Sequence, residues 1–224
     1  MLKDTGLKIE EHLFQEAKQK VFDTGKHTLN RPLGKFFYDK WEIKDEFKNS
    51  VWDSILEPIK DNVGEARIIV LDSPSGYTKH ADLDDRYHLN LAGDEGYLLD
   101  LENLEMHLCQ QDGIWYEMDA GIKHSAISIG ATRRAQLVVR KLLPKNNLQN
   151  PIKITLSLNH ANDRYFFDNL ISPWLNRSHK KQIISNCSYT GYEFTFNLEN
   201  AFRLQFEEIL DKMPVQINYQ CQTL

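Results

Sequence analysis

ARIIVLDSPSGYTKHADLDDRYHLNLAGDEGYLLDLENLEMHLCQQDGIWYEMDAGIKHSAISIGATRRAQLVVRK, residues Ala66–Lys141, decides the fold. Eight short β-like segments can be marked in it: ARIIVL, YTKHAD, RYHLNL, GYLLDL, LEMHLC, IWYEMD, HSAISI and RAQLVVRK. Turn material separates them: SPSG, AGDE, EN, QDG, AG and GAT. Segments of about six residues at a spacing of about eight to twelve argue for a sandwich or small barrel, because βαβ units need longer crossovers. Eight is also the strand count of a jelly roll, whose two sheets can enclose a ligand-sized cavity.

Around this core the chain reads as mixed. In residues 1–60, Ile9, Leu13, Ala17 and Val21 recur every four residues with charges on the other faces, which predicts an amphipathic helix. A second stripe, Phe47, Val51 and Ile55, is expected to end near Pro58, and KFFYDKWEI between them reads as a strand. After Pro144 a helix carrying Phe166, Leu170 and Trp174 is expected, capped by Asn162 or Asp163. YEFTFNL then reads as a strand, ahead of a last helix with Phe202, Phe206, Ile209 and Met213. The expected organisation is a single domain: a mixed region 1–60, a β core 61–143 and an α+β extension 144–224.

Composition narrows the function classes. The 224 residues are 41% hydrophobic and 11% aromatic, enough large side chains to offset the ordering of the chain, so a disordered protein is excluded. No apolar run approaches the roughly 20 residues of a membrane span. The N-terminus, MLKDTGLKIEEHLF, lacks the apolar stretch of a signal peptide. Twenty-seven basic and 32 acidic residues give a net charge of −5 without a basic cluster, which disfavours nucleic acid as a partner. Cys109, Cys187 and Cys221 are odd in number and widely spaced, so neither a disulfide framework nor a thiolate zinc site is suggested. A cytoplasmic protein is the expectation.

Within the core, His80 and Asp82 are two residues apart on the second segment. On a strand such residues share a face, about 6.5–7 Å apart at the backbone, and both can reach one metal ion. His124 opens the seventh segment. Two imidazoles and a carboxylate with open positions opposite are the ligand set of non-haem Fe(II) oxygenases. An H-x-D triplet alone arises by chance about once in a chain of this composition, and a lone histidine is more often solvated or hydrogen-bonded. Its place in the eight-segment pattern raises its weight. Asp84 and Asp85 stand in reserve as ligands, and His88 is the rival to His80. His12, His27, His107, His160 and His179 read as solvated or hydrogen-bonded.

Ten positions after His124, on the eighth segment, stands Arg134. An enzyme that uses 2-oxoglutarate needs a fixed cation for the far carboxylate, and the planar guanidinium binds carboxylates bidentately without deprotonating. Strand alternation puts Arg133 and Arg134 on opposite faces, and the spacing favours Arg134 as the inward one. Tyr77 and Trp115 are weak candidates to touch a substrate at the cavity mouth, since an aromatic is as readily core or surface.

The series His80, Arg86-Tyr87-His88-Leu89, His124 and Arg134 resembles the Fe(II)/2-oxoglutarate oxygenases of the aspartyl/asparaginyl β-hydroxylase-like group, which includes bacterial cis-proline hydroxylases. That group shows a first metal histidine, an R-x-H strand, a glycine-containing turn (here Asp119-Ala120-Gly121), a second metal histidine and an arginine ten residues on. The match spans Tyr77 to Arg140. The resemblance implies a double-stranded β-helix, cupin-like, with Fe(II) and 2-oxoglutarate as cofactors. It makes Arg86 and His88 co-substrate residues beside Arg134. The implied reaction uses O2 to hydroxylate an amino acid or peptidyl residue, with succinate and CO2 released. The aspartyl/asparaginyl enzymes lack an acid two positions after the first histidine, so Asp82 brings this chain nearer the proline-hydroxylase branch. Two other readings stay open: a cupin-like metalloenzyme that needs no 2-oxoglutarate, and a non-catalytic jelly-roll module that binds a ligand.

Overall fold

Alternation of apolar and polar residues fixes which way the central strands face. The computed structural model describes residues 1–224. The first part of the chain forms β1 (Leu2–Lys8), α1 (Glu11–Thr24), a small hairpin of β2 (Asn30–Pro32) and β3 (Trp41–Ile43), and α2 (Val51–Leu56). Eight strands follow: β4 (Val63–Leu71), β5 (Ser75–Gly76), β6 (Arg86–Ala92), β7 (Gly96–Asp100), β8 (Glu105–Leu108), β9 (Ile114–Met118), β10 (His124–Ser128) and β11 (Arg134–Lys141). Together with β1 they build two antiparallel sheets, of order β1-β9-β6-β11-β4 and β5-β10-β7-β8. The chain alternates between the sheets except at the β7–β8 hairpin.

The larger sheet has two unlike faces. Ala66, Ile68 and Val70 of β4, Tyr87, Leu89 and Leu91 of β6, and Ala135, Leu137 and Val139 of β11 are buried against α1 and α2. Phe14, Ala17 and Val21 of α1 and Val51, Trp52, Ile55 and Leu56 of α2 complete that core, each large side chain contributing about 1.5–3 kcal/mol by burial. Ser50 caps α2 by accepting the Trp52 N–H at 3.2 Å. The intervening residues of the same strands face the smaller sheet and carry the polar groups.

The rest of the chain makes a further antiparallel sheet of order β13-β14-β12-β15, formed by β12 (Pro151–Ser157), β13 (Ile184–Thr190), β14 (Glu193–Glu199) and β15 (Asn218–Thr223). Its core contains Phe194, Phe196, Phe167 and Phe206. Helices α3 (Ala161–Phe166), α4 (Ser172–Lys180) and α5 (Arg203–Asp211) cover it, and one π-helical turn, Phe167–Ile171, joins α3 to α4. No helix is long and apolar enough to cross a membrane.

Several local expectations change. YTKHAD is not a regular strand: β5 ends at Gly76, and only an isolated bridge between His80 and His124 continues the pairing. Of KFFYDKWEI only Trp41–Ile43 is a strand. The α-helix ends at Leu56, near Pro58 as expected, and a 3-10 turn, Glu57–Asn62, follows it. The first turn of α3 starts from His160, whose N–H donates to the Asp163 carboxylate at 3.1 Å, so neither Asn162 nor Asp163 is the cap. The buried stripe there is Phe167, Ile171 and Leu175, one residue on from the expected set, and Leu170 is exposed. In α5 only Phe206 is buried; Phe202 precedes the helix and Met213 follows it. Strands β1, β12, β13 and β15 add to what the periodicity predicts.

Candidate metal centre

His80 and His124 face each other across an isolated β-bridge. Each N–H donates to the other's carbonyl, at 3.0 and 2.8 Å. That pairing sets the imidazoles side by side, ring centroids 4.4 Å apart. Both rings are oriented alike: His80 Nδ1 contacts the Thr78 carbonyl at 2.8 Å, and His124 Nδ1 the Ile122 carbonyl at 2.8 Å. A carbonyl can only accept, so Nδ1 carries the proton in each ring and Nε2 is left with a free lone pair. Both Nε2 atoms aim at one oxygen, Asp82 Oδ2, at 4.0 and 3.7 Å.

Asp82 is held in place by the main chain and by Arg86. Its N–H donates to the Ala120 carbonyl at 2.7 Å, and its second oxygen, Oδ1, accepts from Arg86 Nη2 at 2.8 Å. Burial works against the charged carboxylate, but Arg86, His124 and His80 outweigh it and hold the Asp82 carboxyl below its usual range. Burial lowers His124 to about 4, with Asp82 opposing. The three ligand atoms lie within 4.8 Å of one another. Two neutral imidazoles and one ionised carboxylate oxygen, with carbonyls fixing the rings, are a donor set that suits a divalent transition metal.

The reserve candidates point elsewhere. Asp84 is buried and bonded by Arg86 (3.1 Å) and by Arg140 Nε (2.5 Å). Asp85 accepts from Asn176, Lys180 and the Ala120 N–H. His88 is not within the cluster.

A cavity of about 390 Å³ opens from this cluster between the two sheets. Cross-strand register turns its floor into rows. Leu71 lies opposite Arg134; Ile69, Gln136 and Asn90 form the next row; Arg67, Val138 and His88 the third; Arg140 pairs with Arg86 beyond. Arg134 is 2% exposed. It donates through Nη1 to the Tyr97 carbonyl at 3.2 Å and through Nη2 to Gln136 Oε1, and no carboxylate contacts it. Burial lowers its pKa. Arg133 turns outward to Asp72 at 2.9 Å, as alternation predicts. His88 is buried with neither ring nitrogen bonded, and burial, with Arg134, Arg86 and His124 nearby, lowers it to about 3, so it is neutral.

Tyr77 lines the cavity and is exposed. Trp115 does not: its ring is fully buried on the helix-facing side of β9, edge-on to Tyr87, because its parity on the strand is opposite to that of the cavity-lining Met118. It belongs to the core and not to a mouth. Gln136 and Asn90 escape the sequence reading, although they stand two residues after Arg134 and His88 and hence on the same faces. Gln136 Nε2 donates to Asn90 Oδ1, which completes a buried chain ending on Arg134.

No protein-family model matches the chain, and no curated protein matches it. Among solved structures, a prolyl-4-hydroxylase from Pseudomonas putida is similar at a TM-score of 0.37 and 11% identity, over 63% of this chain and 91% of that one. Likeness at that level carries no chemistry, which rests on the residues above.

Proposed function

We propose that the protein is an Fe(II)- and 2-oxoglutarate-dependent dioxygenase that hydroxylates a C–H bond of an amino acid or peptidyl residue. The observation that carries this reading is the convergence of His80 Nε2, His124 Nε2 and Asp82 Oδ2 at a cavity whose buried end holds Arg134 without an anionic partner. The orders β4-β11-β6-β9 and β5-β10-β7-β8, with alternation between sheets, support a double-stranded β-helix, the jelly roll of this enzyme class. In this reading the chain is one domain, with 61–143 as the barrel and 1–60 and 144–224 as its extensions.

Bound by His80, Asp82 and His124, Fe(II) would supply the oxidation, dividing O2 between succinate and a hydroxyl on the substrate carbon as CO2 leaves. The chain's residues do the rest. The Thr78 and Ile122 carbonyls hold both imidazoles in the ligating tautomer. Arg86 keeps Asp82 ionised and occupies one of its oxygens, so a single oxygen is free to ligate. Arg134, aligned by Gln136, takes the far carboxylate of the co-substrate, and His88 offers a neutral ring nitrogen between that carboxylate and the metal. Leu98, Met118, Ala126 and Val138 keep the chamber walls apolar, which limits water at the oxidising centre.

The test is an anaerobic titration with Fe(II) and then 2-oxoglutarate, followed by the visible charge-transfer band of the chelate. Wild type is expected to show the band, His124→Ala to lose it, and Arg134→Ala to need at least tenfold more 2-oxoglutarate. Iron binding without the band overturns the 2-oxoglutarate assignment. Absence of iron binding overturns the enzyme.

A further inference from the structure

Arg67 is a cation of this cavity that the proposed chemistry leaves unused. The residues that line the cavity include one acid, Asp82, and it is engaged by Arg86. Arg134 sits at the buried end. Arg67 stands in the third row with Val138 and His88, on the cavity face of β4. Its nearest carboxylate, Glu65, is 3.7 Å from Nε, beyond hydrogen-bonding distance, and Glu65 is shared with Arg140 at 3.8 Å. The Nε atom donates to nothing, and the side chain as a whole is 42% exposed. A partly exposed guanidinium with no hydrogen-bonded acid has donors to spare for an anionic ligand.

A second cation is brought beside it by the fold. The segment before β2 runs antiparallel to the edge of β4: Ile68 N–H donates to the His27 carbonyl at 2.9 Å, Leu29 N–H to the Ala66 carbonyl at 2.8 Å, and Thr28 is bridged to Arg67. Thr28 therefore shares the face of Arg67, and Lys26 lies in the bend just before it. Lys26 and Thr28 line the cavity, and Lys26 is exposed. The His27 ring goes the other way, onto Phe47 at 6.2 Å.

We infer that Arg67, with Lys26 and Thr28, forms a carboxylate-reading subsite, and that the substrate is a small free carboxylic acid of amino-acid size. This rests on the dioxygenase reading above. About 390 Å³ is near the lower end of the roughly 300–1,000 Å³ of ligand pockets, and the co-substrate takes part of it. The remaining room suits one amino-acid-sized molecule. Arginine gives two parallel donors to a carboxylate, and the Thr28 hydroxyl can add a third. With the acid held on β4, the carbons beyond it lie toward the row of His88 and the metal residues.

The experiment is saturation-transfer NMR of the anaerobic protein with Fe(II) and saturating 2-oxoglutarate. The probes are the common L-amino acids, their carboxamides and short peptides with the same residues in internal positions. At least one free acid is expected to bind while its amide and peptide do not. Arg67→Gln is expected to weaken that acid about tenfold or more, Arg67→Lys to recover part of the loss, and both to keep the charge-transfer band. Equal binding of acid and amide, preference for the peptide, no binding by any probe, or full retention in Arg67→Gln each overturns the subsite. Loss of the band in wild type overturns the dioxygenase reading instead, and the acid-against-amide comparison still decides the subsite.

Discussion

His80 and His124 exchange both main-chain hydrogen bonds, and this two-residue bridge is the only β-pairing that the H-x-D segment makes. One candidate ligand histidine thus positions the other through the backbone. The segment between Gly76 and Arg86 lacks the support of a full strand, so its geometry depends on what else grips it. Two of those grips come from the π-turn far along the chain: Ala81 N–H donates to the Asp168 carbonyl at 2.9 Å, and Asn169 Nδ2 to the Lys79 carbonyl at 3.3 Å.

Asn169→Ala is therefore expected to weaken Fe(II) binding by about tenfold, at the lower end of the roughly 10–100-fold effects of residues that support metal ligands. The other Asn169 donation, to the Tyr165 carbonyl, is local to the helix and contributes little to the site. Anaerobic Fe(II) titration alongside a melting curve separates the two roles. An unchanged affinity with a lowered Tm would show that the π-turn only packs.

The features that the sequence made legible are those set by alternation along strands. Arg134 faces inward and Arg133 outward because they are neighbours on β11, and the H-x-D and distant histidine are residue types with few other reasons to converge. Alternation also held a signal that went unread: Ile152, Ile154 and Leu156 of β12 alternate and are all buried. Strand β1 had no such signal, because its side chains are mostly exposed on both faces and it is held by backbone pairing to β9. The irregular 77–85 segment was unreadable for a related reason. Its course follows from contacts with Ala120, His124, Asp168 and Asn169, none of which is nearby in sequence.

Gly96 tests how tightly Arg134 is seated. A Cβ at this position would lie 2.6 Å from Arg134 Cδ and 3.2 Å from its Cγ and Nε. The arginine is buried and tied to Tyr97 and Gln136, so it can yield only by leaving the line of the cavity. Gly96→Ala is expected to raise the 2-oxoglutarate concentration for half-saturation by about tenfold while Fe(II) binds as before. Co-substrate titration at fixed iron measures it, and an unchanged midpoint would mean that Arg134 does not hold the co-substrate.

Asp94 controls the approach to the same strand. Its carboxylate accepts from Thr132 Oγ1 at 2.8 Å, Thr132 N–H at 3.2 Å and Ala131 N–H at 2.9 Å. These bonds, led by the Thr132 hydroxyl, lower its pKa from 3.8 to about 2. The folded value lies below the unfolded one, so the stabilisation is complete above about 3.8 and lost as the pH falls toward 2. Asp94→Asn is expected to lower Tm near neutral pH and to remove that part of the acid dependence. Parallel melting curves of the two proteins at low pH that keep the same separation as at pH 7 would contradict it.

His88 sets stability against function. Its ring is buried with both nitrogens unbonded, and an apolar side chain of similar size removes that penalty. Its folded pKa, about 3, lies below the usual 6.5. The unfolded chain therefore takes up the proton first, and the protein loses stability as the pH falls from about 6.5 toward 3. His88→Leu is expected to keep or raise the Tm of the metal-free protein at pH 7 and to flatten its decline across that window. Half-saturation by 2-oxoglutarate is expected to rise about tenfold, because a ring donor to the proposed co-substrate site is gone. Melting curves across that pH range and the anaerobic co-substrate titration read the two effects separately. A fall in Tm with unchanged co-substrate binding would make His88 a packing residue.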